Sequence, residues 1–273
     1  MTIVSRLVAA ALASVLSVAE TASAGDASRW EESFHSRARL VSGGASAVGH
    51  WVGIEILLDP GFKTYWRDPG ESGLPPRFDW TGSTNTGAIE MSWPAPTRAE
   101  DAGGIAHIYS ERVVFPTRVR AADPGRPIDL HLNLEYGVCK EICIPAQATL
   151  DLVLDKGDGP HRGTIEQALA LVPRPQALGA EGPLSITAVD PVAADKPTYR
   201  VTVRSPEGAT LFAEAPENWY VSTSRLLPGG HFTITIDERP KGFSGPAPLR
   251  LTLVAEPRAI ETEVHLDASL AAR

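Results

Sequence analysis

The sequence predicts an all-β chain of two β-sandwich domains joined by a short helix and linker. Three observations lead there. The 273 residues include 23 Pro and 24 Gly, the punctuation that many short strands joined by turns require. Residues Ile128 to Tyr136 alternate strictly, with Ile128, Leu130, Leu132, Leu134 and Tyr136 on one side and Asp129, His131, Asn133 and Glu135 on the other, which marks a half-buried strand. The last 90 residues hold seven short strand candidates, a density that fits a sandwich of immunoglobulin type.

The first 24 residues read as an export signal. Arg6 is the basic start, Leu7 to Val18 the apolar stretch, and Ala22-Ser23-Ala24 a small-x-small site that predicts cleavage after Ala24. Twelve apolar residues are short for a bilayer span, and no later run is longer, so the mature chain is expected to be exported and not membrane-spanning. A net charge of −8 and a pI near 5.4 argue against a nucleic-acid partner, which would need a basic face.

Trp30 to Leu40 is expected to enter the first strand, and Trp51 to Leu58 to form a core strand ending at the Asp59-Pro60-Gly61 turn. Phe62 to Arg67 places three aromatics in a row of six residues. Asp68 to Pro76, with three Pro and two Gly, predicts a long stiff surface loop. Ala88 to Trp93 predicts a strand, Arg98 to Tyr109 a second long loop, and Arg112 to Val119 a strand whose Pro116 marks an edge or bulge. Ala148, Leu150, Leu152 and Leu154 repeat the alternation of the preceding strand. Ile165, Ala168, Leu169 and Val172 have helical spacing, with Thr164 and Gln167 as a capping box and Pro173 and Pro175 as the stop. Residues 156–183 are therefore the helix and linker between a first domain, 25–155, and a second, 184–273. The second domain's strands are expected at Leu184–Val189, Tyr199–Arg204, Ala209–Ala213, Trp219–Thr223, His231–Ile236, Leu249–Val254 and Ile260–Leu266.

The two cysteines of the chain, Cys139 and Cys143, stand between the two alternating runs. Extended strand would hold their Cα atoms about 13 Å apart, too far for a disulfide, so bonding requires the backbone to turn between them. Two cysteines in an oxidising compartment favour pairing. As a staple the bond is weak: closing five residues contributes about 2 kcal/mol, against about 3 for fifteen. The same closeness suits redox exchange, because either thiol can resolve a mixed disulfide made by the other. Three readings stay open on the residues alone: redox activity, a structural bond, and metal binding with His107 as a third ligand, although His107 reads more simply as a solvated loop residue. Lys140 lowers and Glu141 raises a neighbouring thiol's pKa. Tyr65, Trp66 and Trp80 allow a sugar platform, but packing is the simpler role. No G-x-S-x-G, H-E-x-x-H or phosphate-binding glycine loop occurs.

The run Tyr136-Gly-Val-Cys-Lys-Glu-Ile-Cys-Ile-Pro-Ala146 resembles the cysteine motif of the N-terminal periplasmic domain of the thiol:disulfide interchange protein DsbD, in the branch linked to suppression of copper sensitivity (ScsB-like). Asp59 to Pro76 and Trp93-Pro-Ala-Pro96 carry the same likeness. The resemblance implies an immunoglobulin-like first domain and a reversible dithiol/disulfide, with Cys143 attacking and Cys139 resolving. It implies a cap loop over the pair at Glu100-Asp101-Ala102-Gly103-Gly104-Ile105-Ala106-His107. Gly103-Gly104 stands where better-known members place an aromatic, which leaves shielding to Ile105 or Tyr109, together with Tyr65 and Trp66. No membrane or thioredoxin-like domain follows in this sequence, so the implied electron donor is a separate membrane-embedded transporter. The implied clients are periplasmic thioredoxin-like proteins of the disulfide isomerase or cytochrome c maturation type. No cofactor and no metal is expected at the site. The expectation is a periplasmic thiol–disulfide exchange protein; the rivals are a binding module with a fixed disulfide and a copper-handling protein.

Overall fold

The computed structural model describes residues 25–101, 104–155, 157, 159–192, 195–243 and 245–267; the expected export signal lies outside the described residues. In chain order the strands are β1 (Glu31–Ser33), β2 (Ser36–Ser46), β3 (Gly49–Leu58), β4 (Lys63–Gly70), β5 (Arg77–Asp79), β6 (Thr86–Met91), β7 (Thr97–Asp101), β8 (Gly104–Ser110), β9 (Arg112–Ala121), β10 (Ile128–Cys139) and β11 (Cys143–Leu154). Helix α1 (Arg162–Ala170) follows. Then come β12 (Arg174–Pro175), β13 (Ser185–Val192), β14 (Thr198–Arg204), β15 (Thr210–Glu214), β16 (Tyr220–Thr223), β17 (His231–Glu238), β18 (Pro246–Ala255) and β19 (Arg258–Asp267).

Two sandwiches result. The first packs a sheet of order β1-β2-β3-β9-β6 against one of order β11-β10-β4-β8-β7, with β5 paired to β10. Its core joins Leu40, Ile54 and Phe115 from one sheet to Trp66, Leu132 and Leu150 from the other. The second packs β12-β19-β18-β15 against β13-β14-β17-β16 around Leu211, Leu251, Phe232 and Ile234. All seven strands expected in the second half are present, as short apolar-rich runs, most of them alternating, between Pro or Gly breaks.

Several local expectations are corrected. The first strand is broken into a hairpin at Phe34-His35, where His35 takes a φ of 44° and Ser33 pairs with Ser36. The Asp68–Pro76 segment is strand as far as Gly70. Arg98–Tyr109 is not a loop but the hairpin β7–β8, paired from Thr97↔Ile108 to Asp101↔Gly104. Pro116 lies inside β9, between β3 and β6, rather than at an edge. It is tolerated because β6 ends at Met91, opposite Thr117, so the missing N–H faces no ladder partner while the Pro116 carbonyl accepts from Ser92 N–H. Helix α1 starts before Thr164, with His161 at its N-cap and no side-chain cap. Tertiary contacts hold that end instead: His161 N–H donates to the Ser42 carbonyl and the Arg162 guanidinium to that of Ala45. The helix lies on the outer face of the β2–β3–β9 sheet, where Ile165 sits over Gly43 and Gly53; a Cβ on Gly43 would come 2.6 Å from the Ile165 side chain. Within the expected linker, Arg174 and Pro175 add a parallel strand beside Ile260 and Glu261.

The sandwiches share a packed seam. Phe212, Val254 and Ala259 of the second join the core of the first, and Phe212 meets Trp66 edge-on at 5.8 Å between centroids. Arg67 lies over the Trp66 ring and forks onto Glu214 at 2.7 and 2.8 Å, with a further bond to Glu261 at 2.5 Å. Burial disfavours its charge, and the two carboxylates more than offset that, so its pKa rises above the usual arginine value. Arg67→Ala strips the fork from Glu214 and leaves Glu261 only the more distant Arg250, 3.5 Å away. It should cost about 3 kcal/mol, the low end for breaking a buried pair because these groups keep some contact with water, read from urea unfolding at pH 7.

Candidate functional site

The site begins with the register of β10 and β11. Every residue from Ile128↔Leu154 to Cys139↔Cys143 is paired, so the alternation visible in the sequence runs without a bulge to the hairpin's end. There Lys140, Glu141 and Ile142 turn the chain, and the two cysteines become direct cross-strand neighbours with Cα atoms 4.2 Å apart, joined by a disulfide. Both belong to one sheet, so the bond does not tie the sandwich faces together.

Parity decides what surrounds it. Tyr136 and Val138 point into the core, so Cys139 points out of the sandwich. Cys139 is also the Cα partner of Lys63 in β4, and Tyr65, two residues on, is the partner of Ile108 in β8. Ile108 and Ala106 are followed in β7 by Thr97 and Ala99. Outward-facing side chains from four strands therefore gather into a small second cluster of Tyr65, Ala106, Ile108 and Cys139, with Ala99 against it.

The two sulfurs differ sharply. Cys139 is 1% exposed beneath this cluster, while Cys143 is exposed at the hairpin end. Ile142 beside it is 69% exposed. The Tyr65 Oη lies 3.0 Å from the Cys143 Sγ. A disulfide sulfur carries no hydrogen, so the hydroxyl is the donor. The Glu71–Pro76 segment closes the far side of Tyr65. Gly73 lies flat on its ring, where a Cβ would come 2.4 Å from a ring carbon, and Gly137 N–H donates to the Leu74 carbonyl.

Trp66, Tyr109, Ile105, His107 and Glu100, also expected to shield the pair, face away from it. Trp66 is fully buried on the core side, with Phe212. Tyr109 is also inside, donating its hydroxyl to the Pro94 carbonyl at 2.7 Å. Ile105 and His107 line a cleft of about 590 Å³ toward Trp219 and Asp237 of the second sandwich. Glu100 points the same way and pairs with Arg225. Gly104 takes a φ of +103° against the Glu71 side chain, which excludes any residue with a Cβ. Ala102 and Gly103 lie outside the described residues, as does the side chain of Asp101. His107 is buried rather than solvated. Its Nδ1–H donates to the Asp68 carbonyl at 2.9 Å, and its ring meets Phe212 and Trp66 edge-on. It lies across the sheet from the cysteines, and no metal-holding group of three or more His, Cys, Asp or Glu occurs among the described residues. Tyr65, Trp66 and Trp80 share no surface; Trp66 and Trp80 belong to the core packing.

Of the expected cap loop, Ala106 does face the pair, and Ala99 and Ile108 join it as contacts outside that expectation. Their signal was the alternation Ile105-Ala106-His107-Ile108-Tyr109, hidden by the Gly103-Gly104 pair and by the short side chain of alanine.

A close disulfide with one open and one buried sulfur, set on the outside of a sandwich next to a hydroxyl donor, is an arrangement suited to thiol–disulfide exchange. Residues 37–155 match the family model of the thiol:disulfide interchange protein DsbD, N-terminal. A solved structure, the N-terminal periplasmic domain of ScsB from Proteus mirabilis, superposes with a TM-score of 0.71 at 22% identity, covering 89% of this chain and 99% of that one. No curated protein matches the chain. The fold is thus that of the ScsB domain across both sandwiches. No helix among the described residues is long and apolar enough to cross a membrane.

Burial holds the His107 pKa below its ordinary value, against the opposing pull of Asp68. The unfolded chain therefore takes up the proton first, and stability must fall as pH drops through about 6.5, the unfolded histidine value. Denaturant titrations at pH 7.5 and 5.5 should show this loss, and it should shrink in His107→Gln relative to the parent.

Proposed function

We propose that this protein is a periplasmic reductant of thioredoxin-like clients, working through Cys139 and Cys143. The observation that carries the reading is the asymmetry of the pair: Cys143 open at the hairpin end and Cys139 buried one strand away. In the reduced protein the Cys143 thiolate attacks one sulfur of a client disulfide. A Cys143–client bond forms, the client's S–S bond breaks, and the second client sulfur leaves as a thiolate and takes a proton. The Cys139 thiolate then attacks the Cys143 sulfur. The intramolecular disulfide forms, the client leaves as a dithiol, and two electrons have passed from this protein to the client.

Tyr65 contributes to the first step. The hydroxyl that donates to the Cys143 sulfur is placed to stabilise the thiolate, and a hydrogen bond to a charged acceptor contributes about 1.5–3 kcal/mol. The exposed Ile142 offers an apolar contact beside the attacking sulfur, and the Tyr65–Ala106–Ile108 cluster keeps stray oxidants from Cys139. The reducing equivalents come from a membrane-embedded dithiol donor, and export by the N-terminal signal brings the protein to the periplasm. The likeness to a periplasmic ScsB domain supports the second of these points.

Cys139→Ala should accumulate a client mixed disulfide through Cys143, seen as a reductant-sensitive adduct on non-reducing gels. Cys143→Ala should trap none; the opposite pattern reverses the roles. A redox titration should place the pair above about −300 mV, since a fixed structural bond lies lower. Tyr65→Phe should raise the Cys143 thiol pKa by about one unit, the equivalent of 1.4 kcal/mol, measured from the pH dependence of alkylation.

A further inference from the structure

The hairpin β7–β8 has two working faces. Its outward side chains, Ala99, Ala106 and Ile108, pack on Cys139 and Tyr65. The side chains on its other face, Arg98, Glu100 and His107, alternate with them and are held by the second sandwich. The Arg98 guanidinium donates to the Thr223 carbonyl at 3.1 Å and to its hydroxyl oxygen at 3.3 Å. The Thr223 hydroxyl in turn donates to the Leu211 carbonyl of the neighbouring strand, so the anchor reaches the second core. Arg98 is 12% exposed, and it also pairs with Glu100. Glu100 accepts from Arg225 at 2.6 Å, and the His107 ring meets Phe212 at 4.7 Å. The hairpin is thus gripped from behind by one domain while it covers the buried sulfur of the other.

We infer that Arg98 and Arg225 are positioning residues through which the second sandwich holds β7–β8 against Cys139, so that this domain sets how far the resolving thiol is protected. Neither arginine touches the sulfurs; both act through the hairpin. The inference rests on the exchange reading only for its biological meaning, since the mechanical claim concerns the two thiols of the reduced chain.

The contacts are unequal. The Arg225 head is three-quarters exposed, and open ion pairs contribute little. Arg98 is enclosed and makes two bonds to a strand of the other domain, so its loss leaves an unpaired carbonyl at the seam.

The test is thiol-specific alkylation of the full chain after reduction by a phosphine, with the two cysteines resolved by peptide mass spectrometry. Arg98→Ala should speed labelling of Cys139 about tenfold and leave Cys143 within twofold. Arg225→Glu, a surface change that sets two carboxylates against each other, should speed Cys139 about threefold. Adding Glu100→Arg to it should return the rate to the parental value, which a general loss of stability would not do. An unchanged Cys139 rate in both single variants overturns the inference, as does equal acceleration of the two thiols. Labelling needs no client, so a failure of client trapping with these differences intact would overturn the exchange reading alone.

Discussion

One register constrains the molecule: Cys139 stands opposite Cys143 on one side and Lys63 on the other. It fixes the parity of β10, and through β4 the parity of β8 and β7. From that follows which of two adjacent aromatics serves the disulfide and which serves the core. Tyr65 faces the sulfurs; Trp66, the next residue, is sealed between the sandwiches. A slip of one residue in the β4 pairing would exchange them, placing a phenol in the core and an indole on the surface. The twelve paired positions of the β10–β11 hairpin hold their own register, because a one-residue slip of either strand would turn its core leucines, Leu130, Leu132 and Leu134 or Leu150 and Leu152, to solvent.

Charge at the seam works by geometry rather than by number. Arg67 meets Glu214 with a fork and uses the same guanidinium for Glu261, an arrangement that a lysine's single ammonium does not reproduce. On the far face of the first sandwich Glu55, nearly fully buried, is held in the same manner by Arg39 and Arg112 at 2.7 Å each. A buried carboxylate flanked by two guanidiniums has its lone pairs occupied, which is the condition under which such burial is tolerated.

The sequence showed most where periodicity is unbroken. The β10 and β11 strands, the turn between the cysteines and the seven strands of the second sandwich follow from alternation and from Pro or Gly breaks. What it concealed has physical causes. The hairpin β7–β8 was masked because glycine at position 104 serves a positive φ under Glu71 rather than a loop. The buried state of His107 was illegible because Phe212, its main neighbour, comes from more than a hundred residues away. The open state of Cys143 and the closed state of Cys139 depend on Ala99, Ala106 and Tyr65, and local pattern does not reveal that these three meet. The start of α1 was misplaced because carbonyls of β2, not a local hydroxyl, take up its terminal donors.

The glycine notch at Gly43 and Gly53 has a practical corollary. Ile165 leaves no space for a methyl group on Gly43, and Val41 and Val114 leave none on Gly53, so α1 becomes a piece of the first sandwich's wall. A fragment cut at the end of β11 would keep every strand of that sandwich yet leave an apolar furrow open to water, with Val41 and Val114 along its sides. For anyone dissecting the protein, the place to cut lies after the helix, between Val172 and Arg174, where the chain stops serving one sandwich and begins to edge the other.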